Sequence, residues 1–539
     1  MSAPSWRLDR AEGLVVAALV FLGLGLRVAL IPTDGVINGD GVYYATLGEH
    51  LADGRLRAGV SAYWAPLYPV LVALSSFVIS DLETAGRVAS AVVGSLVVIP
   101  TFLLVRVFFG RAEALIAAAL VAIHPSLLES STWVMTEALY GVLFLTAILV
   151  GWRAVQTGAG WWFAAAGAAF GLTYLTRPEA AGFLVLFVVL VIVLGRPLGL
   201  VASLGRRAAL AATAIAMFVV ASAPYLVLAQ EEAGHWTISS KLDSNTALGD
   251  ENEGLRELIR NGRTTRMDEL FGSAFAVPHA PPRTSTPGPD RADDGDEGTG
   301  NDGFASRVGE RLRKQLRDHL RVVLPVPFLL CALVGLLVGM RDRQPWVRHV
   351  YLLSFGASSA LGYAASVVEL RYMFPLIPIA AGYVASGVVW IIRSVRTAAG
   401  PNPSARGPRV AAAAAAVVAA VLALSLAPRY DGISGPDELR EAAFDEKRAG
   451  LWLRDHGTPH PLLMASNATA AFYARGSNVF LPSEPFEVVL DYATRRGVDY
   501  WVVSERREDE PPPSTSSMRL VFQEEVEPGF AVHVYELRQ

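Results

Sequence analysis

The chain has 539 residues, 52% of them hydrophobic and only 18% charged, against about 25% charge in an ordinary soluble domain. A net charge of −4 argues against a polybasic nucleic-acid binder, and a lone cysteine, Cys331, excludes an internal disulfide and a cysteine-built zinc cluster. The composition is that of a chain whose solvent is largely lipid.

A bilayer-crossing helix needs about 20 mostly apolar residues. Eleven such stretches occur, at 13–31, 85–106, 112–128, 135–154, 160–176, 180–195, 208–229, 322–340, 349–367, 373–392 and 410–427. Arg7 and Arg10 precede the first. Its apolar run outlasts a signal core and no small-x-small site follows, so it reads as a retained anchor.

Residues 66–80 are apolar but short, with Pro66 and Pro69 at their front. Charge decides their placement. If they do not cross, segments 1–12, 106–111, 153–158, 196–207, 341–348 and 393–409 share one side, with fifteen arginines and only three acids, Asp9, Glu12 and Asp342. That is the cytoplasmic signature. The reading therefore has a cytoplasmic N-terminus, an external C-terminus and 66–80 on the outer surface of a cell membrane.

The expected fold is mainly α. A polytopic membrane domain, 1–427, of about 11 transmembrane helices precedes a C-terminal extracytoplasmic α/β domain, 428–539. Outer loops fall at 32–84 and 230–321. Within the second, 281–303 is acidic and rich in Pro and Gly, too polar to bury a core and expected to be a disordered tether. Residues 305–320 then form a basic amphipathic helix suited to headgroups. In the C-terminal part, a helix is predicted at 437–455. Strands are predicted at 462–465, 478–481, 499–503 and 531–537, with helices at 467–474 and 484–496 between them.

The polar residues of interest gather at outer ends of spans. Asp40 opens a helix in 38–54, where a carboxylate can cap backbone N–H groups or serve chemistry. Glu137 follows a short outer loop, either as a dipole-complementing acid or as a second carboxylate facing Asp40. Arg177 and Arg371 stand at outer helix boundaries, the side that the positive-inside rule disfavours for arginine. Two of them there invite an anionic partner such as a lipid phosphate. His235 and Lys241 follow another outer end and are candidates to join them. Transport sites usually lie near the midplane. These charges lie at the surface, where a lipid phosphate would leave and an acceptor arrive.

In this order the motifs resemble the C-type glycosyltransferases. They are GDGVYYATLGEHLADG (39–54), APLYPVL (65–71), GRVASAVVGSL (86–96), FFGRAEALIAAALVAIHP (108–125), MTE (135–137), LTRPEA (175–180) and RYMFPLIP (371–378). The resembling branch holds the protein O-mannosyltransferases and the aminoarabinose lipid A transferases, and 452–504 is similar to the outer domain of many bacterial members. The resemblance implies transfer of one sugar from a polyprenyl phosphate to a glycan, lipid or protein acceptor outside the cytoplasm, with membrane lipids and no nucleic acid as the other partners. Asp40 matches the family's first-loop catalytic acid and Glu137 a position held by Asp or Glu. Gly41 replaces a second acid found in many members, and Tyr63-Trp64-Ala65 a Glu-Lys pair of the aminoarabinose branch.

On this reading Asp40 is the general base, with inversion at the anomeric carbon. Arg371, Arg177, Lys241 and His235 hold the donor phosphate. Tyr43, Tyr44, Trp64 and Tyr372 contact substrate. Glu137 orients the acceptor or binds a divalent cation, and the sequence points to no other cofactor. The alternative is a transporter or flippase for lipid-linked sugars, which predicts essential charges at the midplane.

Overall fold

The computed structural model describes residues 8–33, 35–37, 39–233, 236, 238, 302–341, 346–365, 369–399, 406–433, 438–481, 486–506, 516–527 and 530–538. The expected tether at 281–303 lies outside these residues, apart from Asp302 and Gly303, which open the helix Asp302–Lys314. That helix runs through a π-helical turn, Gln315–His319, into Leu320–Val323. The basic amphipathic segment is thus helical, and it meets the following helix, Val326–Arg341, at a bend of 104°.

All eleven expected segments are helical. Six helices are individually long and apolar enough to cross a bilayer: Arg10–Leu30, Leu82–Phe108, Glu137–Thr157, Leu204–Glu231, Leu370–Ala398 and Gly407–Tyr430. The others fall on shorter or more polar helices: Arg111–Ile123 with Pro125–Glu129, Gly160–Tyr174, Ala180–Leu194, Val326–Arg341 and Trp346–Ala365. Helix Leu67–Ser76 has 10 residues, about 15 Å at the helical rise. That is half the hydrocarbon thickness.

Helix packing relies on small residues that let backbones approach. A Cβ on Gly335 would lie 2.0 Å from the Tyr383 carbonyl oxygen, and one on Gly387 2.0 Å from that of Cys331. Gly167 makes the same approach to Ala214.

The arginine-rich ends gather at one end of the bundle. Arg106 pairs with Glu12 at 3.0 Å, Arg111 with Asp9 at 3.0 Å, and Arg393 with Glu113 at 3.7 Å. The opposite end carries two short helices, Gly39–Ala52 and Leu67–Ser76, and the sheet unit. Tyr68 anchors the second short helix through its hydroxyl, 2.7 Å from Ser90 Oγ.

The C-terminal unit holds the helix Glu438–His456 and strands β1 (Leu462–Ala465), β2 (Ser477–Phe480), β3 (Tyr500–Arg506), β4 (Met518–Glu527) and β5 (Phe530–Leu537). Sheet order is β2-β1-β3-β5-β4, parallel across β2-β1-β3 and antiparallel beyond. Helices Thr469–Ala474 and Phe486–Arg496 make the crossovers. β4 is an addition to the expected set. It is an edge strand in which a short apolar run, Leu520-Val521-Phe522, is followed by the polar Gln523-Glu524-Glu525.

A buried knot of charge joins this unit to the membrane helices. Glu83 and Arg87 pair at 2.6 Å on helix Leu82–Ser95. Arg87 also donates to the carbonyls of Val36 at 2.8 Å and Thr132 at 3.2 Å. From the sheet unit, the Tyr473 hydroxyl donates to Glu83 at 2.7 Å and accepts from the Ile37 N–H at 3.0 Å. Lys447 reaches the Gly35 carbonyl at 2.5 Å.

Within the C-terminal unit, burial lifts the Glu446 carboxyl from 4.5 to about 8, against the hydrogen bond from Asn467 and with help from Asp445. Folding therefore takes up a proton here. The stability this carboxyl confers is complete below about 4.5 and is lost as pH rises to about 8. Glu446→Gln is expected to flatten that dependence, so that hydrogen-exchange protection of helix Glu438–His456 at pH 8 approaches its value at pH 5. Unchanged pH dependence in the Gln variant would place the proton elsewhere.

Candidate active site

A cavity of about 470 Å³ opens where helix Gly39–Ala52, the 176–183 turn and the segment after Trp346–Ala365 converge. Its polar floor holds Asp40, Glu137, Arg177, Glu179 and Arg371. One wall is apolar, with Ala181, Gly182, Phe183 and Val185 from one helix and Gly362 and Ala365 from another.

Glu137 is the centre of this charge cluster. It opens helix Glu137–Thr157, and its side chain is only 2% exposed. Its Oε1 receives Arg177 Nη1 at 3.4 Å and lies 3.8 Å from Arg371 Nε. Arg371 reaches on to Asp40 Oδ2 at 3.1 Å, and pairs with Glu369. Arg177 is held from the other side by Glu179 at 2.6 Å, which in turn accepts from the Tyr363 hydroxyl at 2.6 Å. The Arg177 guanidinium also lies over the ring of Tyr372 at 4.8 Å, and Tyr372 stacks on Tyr363 at 4.3 Å. Burial alone would weaken Arg177 as a base. Glu179, Tyr363 and Glu137 outweigh it and hold the group well above its ordinary pKa, so the charge is permanent.

Asp40 sits inside the first turn of its helix, not at the cap, and its carboxylate turns to Arg371. The carboxylate thus lies in the first turn, where it complements the helix N-terminus, and also makes an ion pair with Arg371. Tyr44 lies one turn on and shares the cavity wall, as residues four apart on a helix do. Burial, then Asp40 and Glu137, raise its pKa well above the usual tyrosine value, so its hydroxyl remains a donor.

The remaining expected residues divide. Tyr372 lines the cavity. Tyr43 and Trp64 do not: they stack on each other at 5.0 Å and are 7% and 3% exposed, inside an apolar cluster with Tyr68 and Val72. One helical position, about 100° around the axis, separates Tyr43 from the cavity. Tyr63 takes the place on the wall that Trp64 was expected to hold. The strap bearing it is fixed at Ala62 by the Tyr225 hydroxyl at 2.8 Å and at Leu67 by the Leu175 carbonyl at 2.9 Å. His235 and Lys241 lie outside the described residues, although Ile238, between them in sequence, does line the cavity.

Two residues of the cluster carried no assignment from the sequence, Glu179 and Glu369. Both stand two residues from an expected arginine, Glu179 within LTRPEA and Glu369 just ahead of RYMFPLIP. A third, Arg27, lies behind the site, with a small cavity of about 20 Å³ shared with Glu137. It is fully buried and donates to the carbonyls of Gly23, Ala122 and Leu127. The last two flank the break at His124–Pro125, where the helical ladder is interrupted. An arginine inside an apolar span was its available signal.

Asp40 and Glu137 each face Arg371, and no cluster of three His, Cys, Asp or Glu residues suited to a metal occurs among the described residues. This donor set does not fit a protein-held divalent cation.

Residues 64–226 match the family model of dolichyl-phosphate-mannose-protein mannosyltransferase, under a third of the chain. Among solved structures, the fold is similar to ArnT from Cupriavidus metallidurans bound to undecaprenyl phosphate. The TM-score is 0.59 at 14% identity, covering 96% of this chain and 97% of that one. It is also similar to the archaeal oligosaccharyltransferase AglB from Archaeoglobus fulgidus, in complex with an inhibitory peptide and a dolichol-phosphate. There the TM-score is 0.58 at 15% identity, covering 92% of this chain and 70% of that one. The chain has the C-type membrane glycosyltransferase fold. No curated protein sequence matches it. The cluster described above thus occupies the end of a C-type fold at which the two short helices and the sheet unit meet.

The geometry orders the substitutions. Glu137→Gln leaves two neighbouring guanidiniums without their shared counter-charge, at an expected cost of about 1–3 kcal/mol after their other partners are counted. Glu179→Gln removes a more exposed carboxylate, 31% against 2%, and is expected to cost less. Thermal unfolding in detergent measures both, and the reverse order would contradict Glu137 as the centre.

Proposed function

We propose that this protein is a glycosyltransferase that moves one sugar, with inversion, from a polyprenyl-phosphate donor to a glycan, lipid or protein acceptor on the outer face of the cell membrane. The observation that carries this reading is the junction of a doubly arginine-lined floor with an apolar, lipid-accessible wall in one cavity. A polyprenyl phosphate has both chemistries in one molecule. Residues 1–427 would perform the transfer, and 428–539 would stand outside the cytoplasm.

In the resting site Arg371 neutralises Asp40 at 3.1 Å. A donor phosphate entering the floor competes for that guanidinium with two oxygens and more charge. Arg371 and Arg177 then grip the phosphate, and Asp40 is left as an acceptor for a proton. The acceptor hydroxyl attacks the anomeric carbon from the face opposite the phosphate and gives its proton to Asp40. The bond from that carbon to the phosphate oxygen breaks, and its electron pair leaves on the phosphate. Base catalysis of this kind is worth about 10²–10⁴-fold. The fixed guanidiniums stabilise the developing leaving-group charge. Glu137 holds both arginines in place, and Tyr44, Tyr63 and Tyr372 offer ring faces and hydroxyls to the sugar.

The membrane orientation supports this placement. The ion pairs that gather Asp9, Glu12, Arg106, Arg111 and Arg393 lie at the arginine-rich end, which the positive-inside rule assigns to the cytoplasm. A cysteine at 157 should resist an impermeant thiol reagent in intact cells and one at 434 should react; equal labelling would sink the orientation.

Transfer of a labelled sugar from a polyprenyl-phosphate donor by purified protein tests the activity. Asp40→Asn keeps size and shape but accepts no proton, and turnover is expected to fall at least about 100-fold with the fold intact. Arg371→Lys keeps the charge but loses the planar fork, so donor affinity and rate should both fall. Full activity in a well-folded Asp40→Asn protein would remove the base from this mechanism.

A further inference from the structure

A second cavity, of about 700 Å³, lies where the far end of helix Gly39–Ala52 meets the sheet unit. It shares no lining residue with the first. His50 lines it, is 6% exposed, and neither ring nitrogen has a hydrogen-bond partner. A buried imidazole without partners is costly unless something supplies them.

The opposite wall is unusual in its backbone. His460 and Arg475 are the non-glycine residues with left-handed φ among the described residues, both at 53°. Both line this cavity, and His460 Nδ1 lies 3.1 Å from the Arg475 carbonyl oxygen. Side chains adopt that conformation at a cost, and such costs collect at binding sites. The result is that Arg475 is presented at the cavity while making no ion pair among the described residues.

The carboxylates here are largely engaged. Asp53 is held by Arg55 at 2.5 Å, and Asp81 caps helix Leu82–Ser95 through the Thr84 N–H at 2.9 Å. Glu49 makes no ion pair or hydrogen bond through its carboxylate among the described residues, although the charges of Arg475, Arg55 and His460 act on it, and it remains to accept a hydroxyl. The uncommitted donors are cationic or neutral: the Arg475 guanidinium, the His50 ring and His460 Nε2. The exposed ring of Phe77 at the rim offers a flat apolar face. Donors for an anion, an acceptor for a hydroxyl and an aromatic face together describe a sugar that carries a negative group.

We propose that this cavity is a second saccharide subsite, taking a sugar unit that bears a phosphate or carboxylate. It rests on the glycosyltransferase reading in one respect: such a sugar would belong to the acceptor. His50 follows Asp40 by ten residues on one helix, so the subsite stands about 15 Å from the reacting end.

Equilibrium binding to the purified full-length protein in detergent, read without turnover, tests it. The probes are glucose 6-phosphate, glucuronate and glucose. Both anionic sugars should bind at least about tenfold tighter than glucose, as charge-assisted hydrogen bonds require. Arg475→Asn, which suits the left-handed backbone, and His50→Gln should each lower that preference, and together abolish it. Arg371→Lys, in the first cavity, should leave it in place. No preference for the anionic sugars would overturn the proposal. So would a preference that survives the double variant and disappears in Arg371→Lys, which would put the sugars in the first cavity. Because no transfer is measured, failure of catalysis with this binding pattern intact would sink only the acceptor assignment and the enzyme reading beneath it.

Discussion

The arrangement at the cavity-bearing end of the molecule hangs on one buried ion pair, Glu83–Arg87. The two residues are 8% and 3% exposed. Removing two charges from water is unfavourable unless their remaining hydrogen-bonding capacity is filled. Here Arg87 spends it on two backbone carbonyls, one just ahead of the helix that bears Asp40 and one in the loop ahead of Glu137. Glu83 spends its own on Tyr473 and Lys447 of the sheet unit. Four pieces of chain that are distant in sequence are thereby fixed to one helix end. The distance from Asp40 to the arginines follows from that fixing, since the helix carrying Asp40 begins two residues after Ile37.

Glu137 repeats the device on a smaller scale. A single carboxylate oxygen facing two guanidiniums lets like charges sit close together beside hydrocarbon. Aromatic rings complete the shell around Arg177 without adding further charge. The charges of the cluster are thus largely paired with one another, although Glu137 Oε2 has no hydrogen-bond partner among the described residues; on the proposed reading a donor phosphate would enter by exchange with a carboxylate already there. An unpaired arginine in the same position would hold any anion that reached the surface.

Much of this was legible in the sequence, and the exceptions share a cause. Long apolar runs marked all six helices that are long and apolar enough to cross a bilayer, because lipid demands that pattern regardless of partners. Arginines at helix ends that the positive-inside rule reads as outer marked the charge cluster, because that position is disfavoured without a counter-ion. What the sequence did not carry is rotation and pairing. Tyr43 and Tyr44 are adjacent and chemically alike, and only the helix axis decides which one meets the cavity. Asp40 has the pattern of a cap, but its partner lies 331 residues away. Arg87 falls in the motif that opens a span and Glu83 at the end of the first outer loop, and nothing local reveals that they pair or that Tyr473 completes them. Strand β4 was missed although Leu520-Val521-Phe522 stands in it, because the run is only three residues long and is flanked by charge on both sides.

The openness of the first cavity toward lipid has a consequence for selectivity. Val185 on its wall is 62% exposed on the bundle surface, so an isoprenoid tail lying there would be covered by protein along one side and by bilayer along the other. Only the units beside the phosphate would touch the chain. On the proposed reading, discrimination among lipid carriers is confined to the headgroup and its first few carbons. Prenols of quite different lengths would then be interchangeable substrates, with the membrane rather than the protein acting as the ruler.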